Sequence, residues 1–186
     1  MRSFFAALVL LSAAAGLGAR SDYLSVKNKF SAIEKRQVGA IVLFPASELN
    51  AYVQTELPQV APEGIRDPLV ELQGNNIATG TAQIDFLKMR SAQGKSSNWL
   101  LTKLLEGERE VAVTTRLESS GGTATVHIQK VEIEGVPIQG AALDFLINNY
   151  LRPNYPTAKI GEPFELGYGM ERIEVKPGVA RVIMTK

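Results

Sequence analysis

The residues that could do chemistry are few. His127 is the only histidine among 186 residues, and the chain has no cysteine. A Ser-His-Asp triad needs a histidine held between a nucleophile and an orienting acid, and a zinc site needs several convergent ligands. His127 falls within an alternating stretch, where a satisfied or solvent-facing strand histidine is the plainer reading. Gly94-Lys95-Ser96 resembles the end of a phosphate-binding loop, but Met89 stands where that loop needs its first glycine. Glu132 and Glu134 share a strand face, as paired catalytic carboxylates would, with no surrounding sequence that would bury them. Asp85 and Asp144 are isolated acids beside apolar segments, able to act as bases only inside a pocket. These residues lead to the expectation of a protein without catalytic residues, metal or cofactor.

The rest of the chain must therefore position apolar surface. From Glu108 onward, Val111, Val113, Thr115 and Leu117 alternate with polar neighbours, and Ser119 to Gly122 supplies a hairpin turn. The returning strand puts Ala124, Val126 and Ile128 on one face, but beyond Lys130 the apolar parity passes to Val131 and Ile133. That change predicts a bulge near Gln129 to Val131, which would curve the sheet. Ala142, Leu143, Phe145, Leu146, Ile147, Tyr150 and Leu151 then recur at helical spacing, so apolar that the helix is expected to be buried around most of its circumference.

Upstream, Asp22 to Gln37 reads as a peripheral surface helix with a stripe of Leu24, Phe30 and Ile33. A strand over Val38 to Phe44 leads through Pro45 into a helix carrying Leu49, Tyr52, Val53 and Leu57, with Pro58 ending it. Gln59 to Pro68 reads as a loop, followed by a hairpin turning at Gly74-Asn75-Asn76. On its second strand Ala78, Gly80 and Ala82 leave room for a closely packed helix or for an acyl chain. Leu87 to Ser97 reads as a basic loop, Trp99 to Leu105 as a short helix, and a hairpin around Lys176-Pro177-Gly178 closes the chain. The fold class expected is α+β: a curved antiparallel sheet of hairpins wrapped around or packed on two apolar helices.

The amino end carries Arg2, an uncharged run from Phe4 to Ala15, and then Gly16-Leu17-Gly18-Ala19, with small residues at 16, 18 and 19, before Arg20. This matches an export signal over residues 1–19, leaving residues 20–186 as one domain; the run is too short for a spanning helix of about 20 residues. Without cysteine there is neither a lipid-modified cysteine nor a disulfide. Loss of residues 1–19 would leave 19 basic against 19 acidic residues, a balance that argues against a nucleic-acid partner. No Asn-x-Ser/Thr sequon is present, which fits a bacterial exported protein.

Three stretches, Val42-Leu43-Phe44-Pro45-Ala46-Ser47-Glu48-Leu49-Asn50-Ala51-Tyr52, Val131 to Ile138, and Pro163-Phe164-Glu165-Leu166 with Ile173-Glu174-Val175, together resemble the bacterial LmeA-type phospholipid-binding proteins. The resemblance implies an architecture related to the tubular lipid-binding (TULIP) carriers, a long helix wrapped by a curved sheet with lipid between them, and it implies no catalytic residues. The expected lipid groove is lined by Leu49, Tyr52, Val53, Ile84, Phe86, Leu143, Leu146 and Ile147. Lys88, Arg90, Lys95 and Trp99 form either a membrane-surface loop or a solvated connector. The expected function is non-catalytic lipid handling in the cell envelope, with a lipid or membrane surface as partner. The alternative is a structural or interaction domain whose helices simply complete the core, and periodicity does not separate the two.

Overall fold

The computed structural model describes residues 2–91, 106–154 and 160–185. Helix α1 (Arg2–Glu34) leads to strand β1 (Ile41–Pro45), helix α2 (Ala46–Val60), the hairpin β2 (Ile65–Gly74) and β3 (Ile77–Asp85), and the short helix α3 (Phe86–Ser91). After the long hairpin β4 (Glu108–Ser120) and β5 (Thr123–Ile133) come β6 (Val136–Pro137) and helix α4 (Gly140–Leu146). That helix continues as a π turn (Ile147–Leu151) and an α turn (Arg152–Asn154). Strands β7 (Phe164–Glu165), β8 (Met170–Lys176) and β9 (Val179–Met184) close the chain. Among the described residues no helix is long and apolar enough to cross a membrane.

The architecture is α+β with antiparallel pairing between all named strands, and it holds two sheets rather than one. One has the order β1-β9-β8; the other runs β2-β3-β4-β5-β6, with β7 also paired to β5. The long hairpin follows its sequence pattern closely. Gly121 and Gly122 turn it with φ of +55° and +81°, values a side chain would oppose. The predicted bulge is present: Thr114 pairs with Lys130 and Thr115 with Ile128, leaving Gln129 without an opposite residue. Val126 and Ile128 before it, and Val131 after it, therefore reach the same side of the sheet.

The small sheet carries its own core. Val26, fully buried, and Ile33 of α1 meet Val42, Phe44, Val182 and Met184, with Phe30, Leu49, Tyr52, Met170 and Ile173 packed around them. Two expectations are corrected here. Helix α1 is not peripheral: its buried stripe is Val26, Phe30 and Ile33, at spacing i, i+4, i+7, while Leu24 lies off that face and is half exposed. And α2 runs through Pro58 to Val60, since a proline this near the helix end forfeits only one backbone bond, at an exposed turn.

Polar contacts hold α1 on α2. The carboxylate of Glu48, buried in the first turn of α2, accepts from Ser25 Oγ at 2.8 Å and Lys29 Nζ at 2.5 Å, and Lys29 also donates to the Leu43 carbonyl. Farther along, the Tyr23 hydroxyl donates to Glu56, and that bond, ahead of the nearby Lys27 charge, holds the Glu56 carboxyl below its usual range although burial opposes it. The two sheets are joined by backbone and side-chain bonds: Asn76 accepts from Val175 N–H, Ser119 Oγ bonds both backbone groups of Ile173, and Gly178 N–H donates to the Leu72 carbonyl. At the outer edge of β2, the Asn50 carboxamide donates to the Val70 carbonyl at 3.0 Å and accepts from Val70 N–H at 2.7 Å.

Candidate functional site

The cavity-facing side of the large sheet is set by register. Ala82, Gly80 and Ala78 of β3 stand opposite Val111, Val113 and Thr115 of β4, and the bulge brings Val126, Ile128 and Val131 of β5 onto the same side. Over this surface lie α3, α4 and the π turn. Between them is a cavity of about 300 Å³ lined by Ile65, Ile84, Phe86, Met89, Val111, Val113, Thr115, Val126, Ile128, Val131, Leu143, Leu146, Ile147, Tyr150, Leu151 and Ile160. Among the described residues none that lines it is charged, and the only hydroxyls there are those of Thr115 and Tyr150. The volume is at the lower end of the roughly 300–1,000 Å³ of small-molecule sites. At Gly80 an added β carbon would meet nothing nearer than the Leu69 carbonyl oxygen at 4.0 Å, so no described helix presses on the small-residue stripe there.

Helix α4 differs most from expectation. Despite its apolar sequence it has no fully buried residue, and Leu143, Phe145, Leu146 and Ile147 are only half-buried. The reason is geometric: Phe145 and Leu146 pack against a small buried cluster of Phe86, Met89, Val111 and Tyr150, while Leu143, Leu146 and Ile147 also border the open space that the helix roofs. Only Tyr150 of the π turn is buried, its ring edge-on to Phe86 at a centroid distance of 5.2 Å. Helical departures of the π kind recur at functional sites.

Of the eight residues expected in a groove, Ile84, Phe86, Leu143, Leu146 and Ile147 line this cavity together. Leu49 and Tyr52 do not; they pack in the core of the small sheet, with Tyr52 edge-on to Phe30 at 5.1 Å. Val53 is half-buried on the same helix, which packs on α1 and β2 and is not part of the cavity wall. Periodicity identified the apolar face of α2 but not the sheet it would meet. Met89, Val113, Val126 and Val131 line the cavity without having been singled out for it; their inward parity in the alternation was the available signal for the three valines.

The supposed basic loop is in part helix. Asp85 caps α3, accepting from Leu87 N–H at 3.1 Å and Lys88 N–H at 3.0 Å, with Lys88 Nζ 3.3 Å away. Those bonds, the Lys88 backbone bond foremost, outweigh burial and hold the Asp85 carboxyl below its usual range. Its role in the fold is a cap, fully engaged, and an acid directly before Phe86 was the signal for the helix. Lys88 is exposed; Arg90 lies on α3, and Lys95 and Trp99 lie outside the described residues.

Asp85→Ala is expected to lose about 1 kcal/mol of unfolding free energy at neutral pH, whereas Asp85→Asn, which can still cap, loses little. Because the folded-state pKa is lowered, the carboxylate's contribution is full above the ordinary aspartate value near 3.9 and is lost as pH falls through the lowered one. The gap between wild type and Asp85→Ala in urea unfolding should therefore narrow on acidification, and a gap independent of pH would contradict the assignment.

The other acids are likewise accounted for. Glu132 pairs with Lys130 at 2.7 Å, Glu134 accepts from Glu110 N–H at 2.8 Å, and Asp144 is exposed. His127 lies 3.5 Å from Glu118 on the strand surface. Among the described residues no group of His, Asp and Glu is placed to hold a metal. Comparison with protein-family models, with curated proteins and with solved structures yields no match.

Proposed function

We propose that the protein is an exported, non-catalytic lipid-binding protein of the bacterial cell envelope that holds an acyl chain of a phospholipid in the cavity beneath α4. The observation that carries this reading is the cavity itself, about 300 Å³ with no charged wall residue among the described residues, roofed by a very apolar helix with no fully buried residue. Space of this kind holds water poorly, since a water needs two or more polar partners, and an apolar guest gains by leaving solvent. The export-signal pattern of residues 1–19 and the resemblance to LmeA-type proteins support the same reading. On it, the exposed Lys88, with Arg90, Lys95 and Trp99 beyond it in the chain, meets the lipid surface from which the cavity is loaded.

Native mass spectrometry of the protein purified from cells is expected to show a population heavier by the mass of one phospholipid, lost on organic extraction and regained with phospholipid vesicles. A spectrum of bare protein in both preparations would overturn the proposal.

A further inference from the structure

One flank of the apolar cavity meets polar side chains. A smaller cavity of about 170 Å³ adjoins it and shares Ile128, Val131 and Leu143, and the rest of its lining includes Gln129, Lys130 and Gln139. Among the described residues the larger of these two has no amide or charged residue in its wall. The smaller one opens at the outer edge of β5, where the bulge falls. On one side of it Ile138 N–H donates to the Val131 carbonyl at 2.8 Å, and on the other Gly161 N–H donates to the Val126 carbonyl at 2.9 Å. Between these two bonds no described strand pairs with the outer edge of β5. Exposed Val136 and Ile160 stand to either side of the gap, one paired with Ile133 and the other bridged to Val126.

We infer that this gap is the mouth of the lipid site: the acyl chain passes the bulge into the larger cavity, and the polar end of the lipid stays at Gln129 and Gln139. The inference rests on the lipid-binding reading and adds to it a route and an orientation. The bulge lies in the β4–β5 ladder and bends β5 at the level of the gap, where no described strand pairs with its outer edge. Carboxamides both donate and accept, so they can replace water around ester and phosphate oxygens while the chain is desolvated. Lys130 is paired with Glu132 at 2.7 Å, so among the described residues that line the mouth the free polar side chains are amides, which suit a zwitterionic head. The rival opening, a cavity of about 480 Å³ beside Arg66, shares only Ile65 with the apolar cavity. Its arginine is paired with Glu108 and alternates away from Ile65.

The test follows transfer of pyrene-labelled phosphatidylcholine from phosphatidylcholine vesicles to the full chain by stopped-flow fluorescence. Gln139→Trp and Gln129→Trp narrow the mouth from exposed positions, and Gln54→Trp does the same at the Arg66 cavity. Each mouth variant is expected to slow transfer about tenfold, with an unchanged urea midpoint, while Gln54→Trp behaves as wild type. Using two mouth variants guards against one misfolding. Transfer at the wild-type rate through folded mouth variants, or slowing by Gln54→Trp instead, overturns the mouth and leaves lipid binding standing. Wild-type protein that takes up no labelled lipid overturns the reading beneath it.

Discussion

Phe44→Ala is expected to lower the unfolding free energy by about 3–5 kcal/mol, a large share of the roughly 5–15 kcal/mol of an ordinary domain. Phe44 is 2% exposed, its ring is stacked 5.1 Å from Phe30, and Lys29 Nζ lies 5.6 Å from its centroid. Removing it opens a hole where α1, β1 and β9 meet. Leu146→Ala is the comparison. In a filled core it would lose about 2–5 kcal/mol, but Leu146 already borders open space, so its loss should fall at or below the bottom of that range. Urea unfolding of the two variants side by side decides it, and equal losses would mean that Leu146 belongs wholly to the cluster of Phe86, Met89, Val111 and Tyr150 and borders no open space.

The second large effect is on binding. Val113 lies on the cavity wall opposite Gly80, where the β3 side offers no side chain, so Val113→Trp should place its indole in the cavity and exclude the acyl chain. Lipid occupancy by native mass spectrometry is expected to fall to background. Stability should stay near wild type, because the added atoms enter space that nothing fills; in a packed core the same enlargement loses about 1–3 kcal/mol. A destabilised variant with undiminished lipid would refute both the cavity and its proposed use, and would favour a structural or interaction domain.

These two variants also mark where sequence reasoning reached and where it stopped. The bulge at Gln129 was legible because Val126 and Ile128 differ in parity from Val131 and Ile133, and a strand that stays apolar on one side must gain a residue between them. The face of α4 was legible for the same reason. Its burial was not, since spacing reports which side of a helix is apolar and nothing about whether the space beneath is filled. Leu49 and Tyr52 were assigned to the wrong layer because the residues they meet include Val182 and Met184, more than a hundred positions away. Helix α3 was too short for a periodic signal, and its cap, Asp85, was the one local sign of it.

The pair of bonds between Asn50 and Val70 reaches beyond the fold of a single molecule. Strand β2 is an edge of the large sheet, and an edge with free N–H and C=O groups invites a strand from another copy. At Val70 the Asn50 carboxamide occupies both groups, as a neighbouring strand would, and just before it Asp67 and Pro68 break the ladder, one with φ of +51° and the other with no N–H to offer. That side of the sheet therefore ends within the molecule, protected against growth into an open-ended stack of copies.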